Sequence, residues 1–179
     1  MTFGGELREI AAQIWRWQVA QFGDALTLDG ALNKLRDEVG EAIAAGEARP
    51  APGEAFAPYD ASRRAELADA FIMLVQAAGM LEALPALMRQ CVHTQPDIKT
   101  APYADSLRMV HALAVTAKQL HLRDRSIGAA VFGWAGACKA HGDLVHMPAA
   151  IRRKMEVNKA RAWGQPAADG TISHVKAAE

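Results

Sequence analysis

At 179 residues and 19.2 kDa, with 51% hydrophobic side chains, the chain carries enough apolar surface for a buried core and reads as a single domain over 1–179. Twenty basic residues balance twenty acidic ones at a sequence pI near 7.0, which argues against a global positive field able to hold a nucleic acid polymer or an acidic membrane. No apolar run reaches the roughly 18 residues of a membrane span, and no basic segment leads into a signal core. Cys91 and Cys138 form no C-x-x-C pair, so the expectation is a soluble, unprocessed protein of a reducing cytoplasm, the host cytoplasm if the source is viral.

In chain order, Leu7, Ile10, Ile14, Trp17 and Val19 recur at near-helical spacing and predict a first helix over Glu6 to Phe22. A second runs from Leu28 to Glu47. The stretch ARPAPGEAFAPYDAS, with three prolines and a glycine, then reads as a long loop, with Asp60 or Ser62 capping a third helix. That helix begins RRAELAD and becomes AFIMLVQAAGML, apolar on nearly every face, which suits the centre of a bundle. Further helical patterns cover Leu84 to His93, Asp105 to His121, Ser126 to Ala140 and Pro148 to Trp163, separated by TQPDIKTAP, RDR and HGD. No strand alternation is sustained, so the fold class is all-α, a helical bundle, closed by an irregular tail over 164–179 that is mobile or docked on a partner.

The second and third helices carry the densest chemistry. Residues three apart share a helix face, so Glu38 and Glu41 point together, as do Glu66 and Asp69, and Asp69 directly precedes the buried run. Burying isolated carboxylates costs several kcal/mol each without positive compensation. Four hard acidic groups without an imidazole suit Mg²⁺ or Mn²⁺, whereas bundle iron sites recruit an E-x-x-H motif that this chain lacks. The ordinary alternative is a solvated E-x-x-E face with surface salt bridges. In the closing helix Lys154, Asn158 and Arg161 follow at i, i+4 and i+7, a donor-rich stripe fit for a polyphosphate or an ordinary basic surface.

Taken together, D37-E38-x-x-E41, then E66-x-x-D69, then KMEVNKARAWG from Lys154 resemble the MazG-like, all-α nucleoside triphosphate pyrophosphohydrolases, whose pattern is E-E-x-x-E followed by E-x-x-D. Asp37 replaces the first glutamate. The segment from Lys154 to Val175, with W-G-x-P, a later D-G and His174, is similar to the closing signature of a phage-associated dATP/dGTP pyrophosphohydrolase branch. The resemblance covers helix one to Leu81 and Ile151 to Val175; residues 82–150 look like a helical insertion.

The resemblance implies hydrolysis of a purine deoxynucleoside triphosphate, dGTP first and dATP second, to monophosphate and pyrophosphate. Glu38, Glu41, Glu66 and Asp69 would hold Mg²⁺ or Mn²⁺, with Glu38 or Glu41 as the base orienting water. Lys154, Asn158 and Arg161 would bind phosphates. Lys34 would join them or pair with Glu38. Trp15, Trp17 or Phe22 would stack on the base or simply pack in the core. Trp163 and His174 match the signature without a role that their positions demand.

A homodimer or homotetramer is expected, because two helices cannot enclose a nucleotide unaided. The rival within the chemistry is a pyrimidine dNTP or phosphoribosyl-ATP pyrophosphohydrolase. The rival outside it is a non-catalytic helical oligomerisation module.

Overall fold

The computed structural model describes residues 2–48, 50, 55–94 and 102–175, and among these it is all-helical, with seven α-helices and one isolated β-bridge. The helices are α1 (Phe3–Phe22), α2 (Leu28–Glu47), α3 (Ala57–Met80), α4 (Leu84–His93), α5 (Tyr103–Thr116), α6 (Arg123–Ala140) and α7 (Met147–Ala160). Among the described residues no helix is long and apolar enough to cross a membrane.

Local chemistry explains where the helices depart from the periodicity. Helix α1 starts three residues early because Thr2 caps it, its hydroxyl accepting from the Gly5 amide at 3.2 Å. Val19 is exposed, and Gln18, four residues after Ile14, takes the buried position instead. Neither Asp60 nor Ser62 caps α3. It begins at Ala57 with Pro58 in its first turn, where a missing amide costs nothing, and Asp60 instead accepts from Arg63 at 2.8 Å. Helix α5 stops at Thr116, short of the expected His121; the buried Ala117 caps it, and Leu120 beyond it is exposed. Arg123–Arg125, expected as a separator, form the first turn of α6. The loop and separator residues 49, 51–54 and 95–101 lie outside the described residues.

One continuous apolar core draws side chains from all seven helices, and the most extensive packing is within the α2–α3 and α5–α6 pairs. Phe71 of α3 and Trp134 of α6 meet at its centre, ring centroids 4.5 Å apart, and the Trp134 indole donates to the Leu67 carbonyl at 2.8 Å. The fully buried Asp143 accepts from Arg63 Nε and Arg64 Nε, each at 2.6 Å, tying the turn after α6 to the start of α3. Cys91 and Cys138 are buried free thiols.

The described part of the tail is docked on its own chain, contrary to the mobile or partner-docked expectation. It folds back as an irregular hairpin: Trp163 bridges His174, Gly164 N donates to Ser173 O at 2.9 Å, and Gly170, at φ 78°, makes the turn. Gly170 then lies against Gly30 in the first turn of α2, so closely that a Cβ on Gly30 would overlap the Gly170 carbonyl. The side-chain amide of Asn33 donates to the Asp169 carbonyl at 3.5 Å. Residues 176–179 lie outside the described part.

Candidate metal centre

Glu38 sits on α2 within the buried sequence Leu35, Glu38, Val39 and Ala42, so the helix that packs on α3 carries its carboxylate to the helix interface. Glu66 and Asp69 are successive on one face of α3, where the polar first half gives way to the apolar run. One carboxylate oxygen from each of Glu38, Glu66 and Asp69 lies within 4.8 Å of the others. These three form the cluster. Glu41, one turn beyond Glu38, is exposed and lies outside it, on the wall of the same cavity.

Two lysines balance the cluster. Lys34 Nζ lies 2.8 Å from Glu38 Oε1, and Lys154 of α7 pairs with Asp69 Oδ2. Both lysines line the cavity, so Lys34 makes the salt bridge and also borders the open space. Glu38 Oε2 is buried without a hydrogen-bond partner among the described residues. Burial, the largest influence, pushes Glu38, Glu66 and Asp69 above the usual carboxylate range; Asp69 adds to it at Glu38, while Lys34 opposes it at Glu38 and Lys154 at the other two. Burial alone would lower Lys34, but its hydrogen bond to Glu38 and the neighbouring carboxylates outweigh that and raise it. The arrangement is a desolvated, electron-rich pocket with an unsatisfied oxygen, and it can hold a metal ion.

The cavity, about 410 Å³, extends from these acids to an aromatic end. Asn158 lines it from α7, but the expected stripe does not continue: α7 ends at Ala160, and Arg161 is extended. Arg161 still reaches the cavity, held by its own bond from Nη1 to Asn158 Oδ1 at 3.2 Å. Trp17, Phe22 and Trp163 make the far wall, with Phe22 edge-on to both indoles at centroid distances of 5.5 and 5.2 Å. Trp15 is elsewhere: its ring packs against Gly79 of α3, and it does not line the cavity.

Four lining residues have no role assigned from the sequence. Trp163 and His174 bring the tail over the cavity, the Trp163 indole donating to the Asn158 carbonyl at 2.9 Å. Gln18 and Gln76 add two nearly buried amides to its wall. Gln76 left a trace in the sequence as the one polar side chain between Phe71 and Met80, and Gln18 as the polar residue one turn after Ile14. Within one chain the cavity is lined by α1, α2, α3, α7 and the tail.

No family model, curated protein or solved structure matches the chain.

Proposed function

We propose that the protein is a metal-dependent nucleoside triphosphate pyrophosphohydrolase of the MazG-like type. The observation that carries this is the meeting of Glu38, Glu66 and Asp69, with Glu38 Oε2 left unpartnered, in a cavity also lined by Lys34, Lys154, Asn158 and Arg161. Four carboxylates, counting Glu41, face three cations there, a formal excess of one negative charge. Such a cavity repels a polyphosphate on its own and accepts one only together with added positive charge, which favours a hard divalent cation over a bare anion site. The all-carboxylate donor set of the cluster suits Mg²⁺ or Mn²⁺.

When bound, the ion supplies neutralisation of phosphate charge and a water of lowered pKa. Glu38, Glu66 and Asp69 hold it. Glu41, on the wall and outside the cluster, is free to accept a proton from the attacking water, with Glu38 the alternative base. Lys154 and Lys34, each paired with a ligand carboxylate, and Arg161 with its planar fork bind the phosphate oxygens. Trp17, Phe22 and Trp163 stack around the base and exclude water from that end. The substrate is a purine deoxynucleoside triphosphate, dGTP first and dATP second, an order that rests on the sequence resemblance.

The test is a panel of the four dNTPs, dUTP and phosphoribosyl-ATP with Mg²⁺ or Mn²⁺, the products resolved. Monophosphate and pyrophosphate from dGTP or dATP are expected. Orthophosphate without pyrophosphate rejects the reaction class, and turnover confined to pyrimidine nucleotides or phosphoribosyl-ATP rejects the substrate assignment.

A further inference from the structure

Gln18 and Gln76 sit in the cavity wall away from the carboxylates. Gln76 follows Asp69 by seven residues on α3, about 10 Å along the helix axis at 1.5 Å per residue, the separation of a nucleobase from its phosphates rather than of a metal from its ligands. The two amides are bonded to each other. Gln18 Nε2 donates to Gln76 Oε1 at 3.2 Å and to the Ile72 main-chain carbonyl at 3.3 Å.

Those two bonds fix the orientation of both side chains. The Ile72 carbonyl can only accept, so the nitrogen of Gln18 must face it and the amide cannot turn over without setting oxygen against oxygen. Gln18 Oε1 is thereby held as an acceptor, and it has no hydrogen-bond partner among the described residues although the side chain is 1% exposed. Gln76, its oxygen engaged by Gln18, keeps its nitrogen as the donor end. An amide oxygen buried without a partner forfeits roughly 5- to 150-fold in an equilibrium constant, so its retention in a cavity wall points to a ligand that completes it.

We infer that Gln18 and Gln76 read the base: Gln18 Oε1 accepts from an N–H on the edge of a purine, and Gln76 Nε2 donates to the acceptor beside it. Adenine offers this order with its amine and neighbouring ring nitrogen, and guanine with its amine or ring N–H beside an acceptor. Trp17, Phe22 and Trp163 supply the stacking surface that brings the edge to the amides. This rests on the nucleotide reading above, and it adds the residues that tell a base with such an edge from one without it.

The experiment compares kcat/KM for dGTP, dATP, dTTP and the triphosphate of purine deoxyriboside, whose base carries no N–H, in the wild type and in Gln18→Met. The wild type should favour the better of dGTP and dATP over the donor-free analogue by roughly 5- to 150-fold, and Gln18→Met should remove most of that ratio. A purely structural role for Gln18 would lower all substrates together and leave the ratio intact, which overturns the inference, as does dTTP being the best substrate. Should Gln18→Met fail to give a native circular dichroism spectrum, the wild-type ratio alone decides: a ratio near one overturns it. Absence of pyrophosphate release from every nucleotide would instead reject the function itself, and the base reader with it.

Discussion

Replacing Glu38 by glutamine separates a metal-ligand carboxylate from a structural ion pair, because the two predict opposite signs. In the metal-free protein Glu38 faces Glu66 and Asp69 with oxygens no more than 4.8 Å apart, so each repulsion is at least about 3.5 kcal/mol at an effective dielectric of about 20. The attractions of Lys34 at 2.8 Å, about 6 kcal/mol, and of Lys154 on the far side of Asp69, about 2, together cancel the combined 7. Burial, the largest influence on Glu38, then decides the sign and makes Glu38→Gln stabilising by about 1 kcal/mol, or about 2–4 °C in Tm for a chain of this length. In Mn²⁺ the order should invert. An ion at a hundred times its Kd stabilises the wild type by about 2.7 kcal/mol, about 5–11 °C, and the variant, missing one of three converging ligands, should gain far less. Thermal melts of both proteins in EDTA and in Mn²⁺ give the four numbers. A variant less stable than the wild type in EDTA, or one that keeps the full Mn²⁺ increment, refutes the assignment of Glu38.

Three further outcomes follow from the same geometry. Since Glu38, Glu66 and Asp69 have folded pKa values raised chiefly by burial, the native state holds protons that the unfolded chain has released; their contribution therefore destabilises progressively as pH rises from the ordinary carboxylate range through the raised values, and urea midpoints in EDTA should fall with a slope that the triple variant Glu38→Gln, Glu66→Gln, Asp69→Asn lacks. Gly30→Ala sets a methyl against the Gly170 carbonyl and should cost about 1–3 kcal/mol of tail docking, seen as faster proteolysis within 164–175 and a raised nucleotide KM; unchanged cleavage would show that the tail docks by other contacts. Asp143→Asn strips the charge paired with the buried Arg63 and should cost about 3–5 kcal/mol by chemical denaturation while leaving the Mn²⁺ increment intact; a loss below 1 kcal/mol would mean that the pair contributes little.

Much of the helical frame is local and therefore legible in the sequence. Apolar spacing and proline-rich breaks place α2 and α4 to the residue and most of the others to within a turn, because each helix buries a stripe that its own residues define. The misplaced ends depend on chemistry that spacing does not carry, such as the Thr2 hydroxyl and the ring of Pro58. The Asp143 clamp is invisible along the chain, since its arginine partners lie some 80 residues away. Likewise Glu66 and Asp69 are legible as a pair because i, i+3 geometry is fixed within one helix, whereas the same spacing does not bring Glu41 into the cluster with Glu38, and the amide pair is not legible, because Gln18 and Gln76 meet only when α1 packs on α3.

The two tryptophans of α1 show where a single chain stops being informative. Two residues apart on a helix, Trp15 and Trp17 diverge by about 200°, so only one can face a given cavity, and apolar neighbours on both sides leave the choice open. Packing makes it: Gly79 of α3 presents a flat surface that receives the Trp15 ring, and Trp17 is thereby turned to Phe22 and Trp163. The same third helix carries Glu66, Asp69 and Gln76 along the cavity, so one register of α1 on α3 sets both the aromatic wall and the distance from carboxylates to amides. Two helices could not have closed that space. It is closed here by Trp163 and the Gly170 turn, which rest on residues at the start of α2, so a site whose acids are readable in isolation owes its enclosure to a close approach of two glycines 140 residues apart.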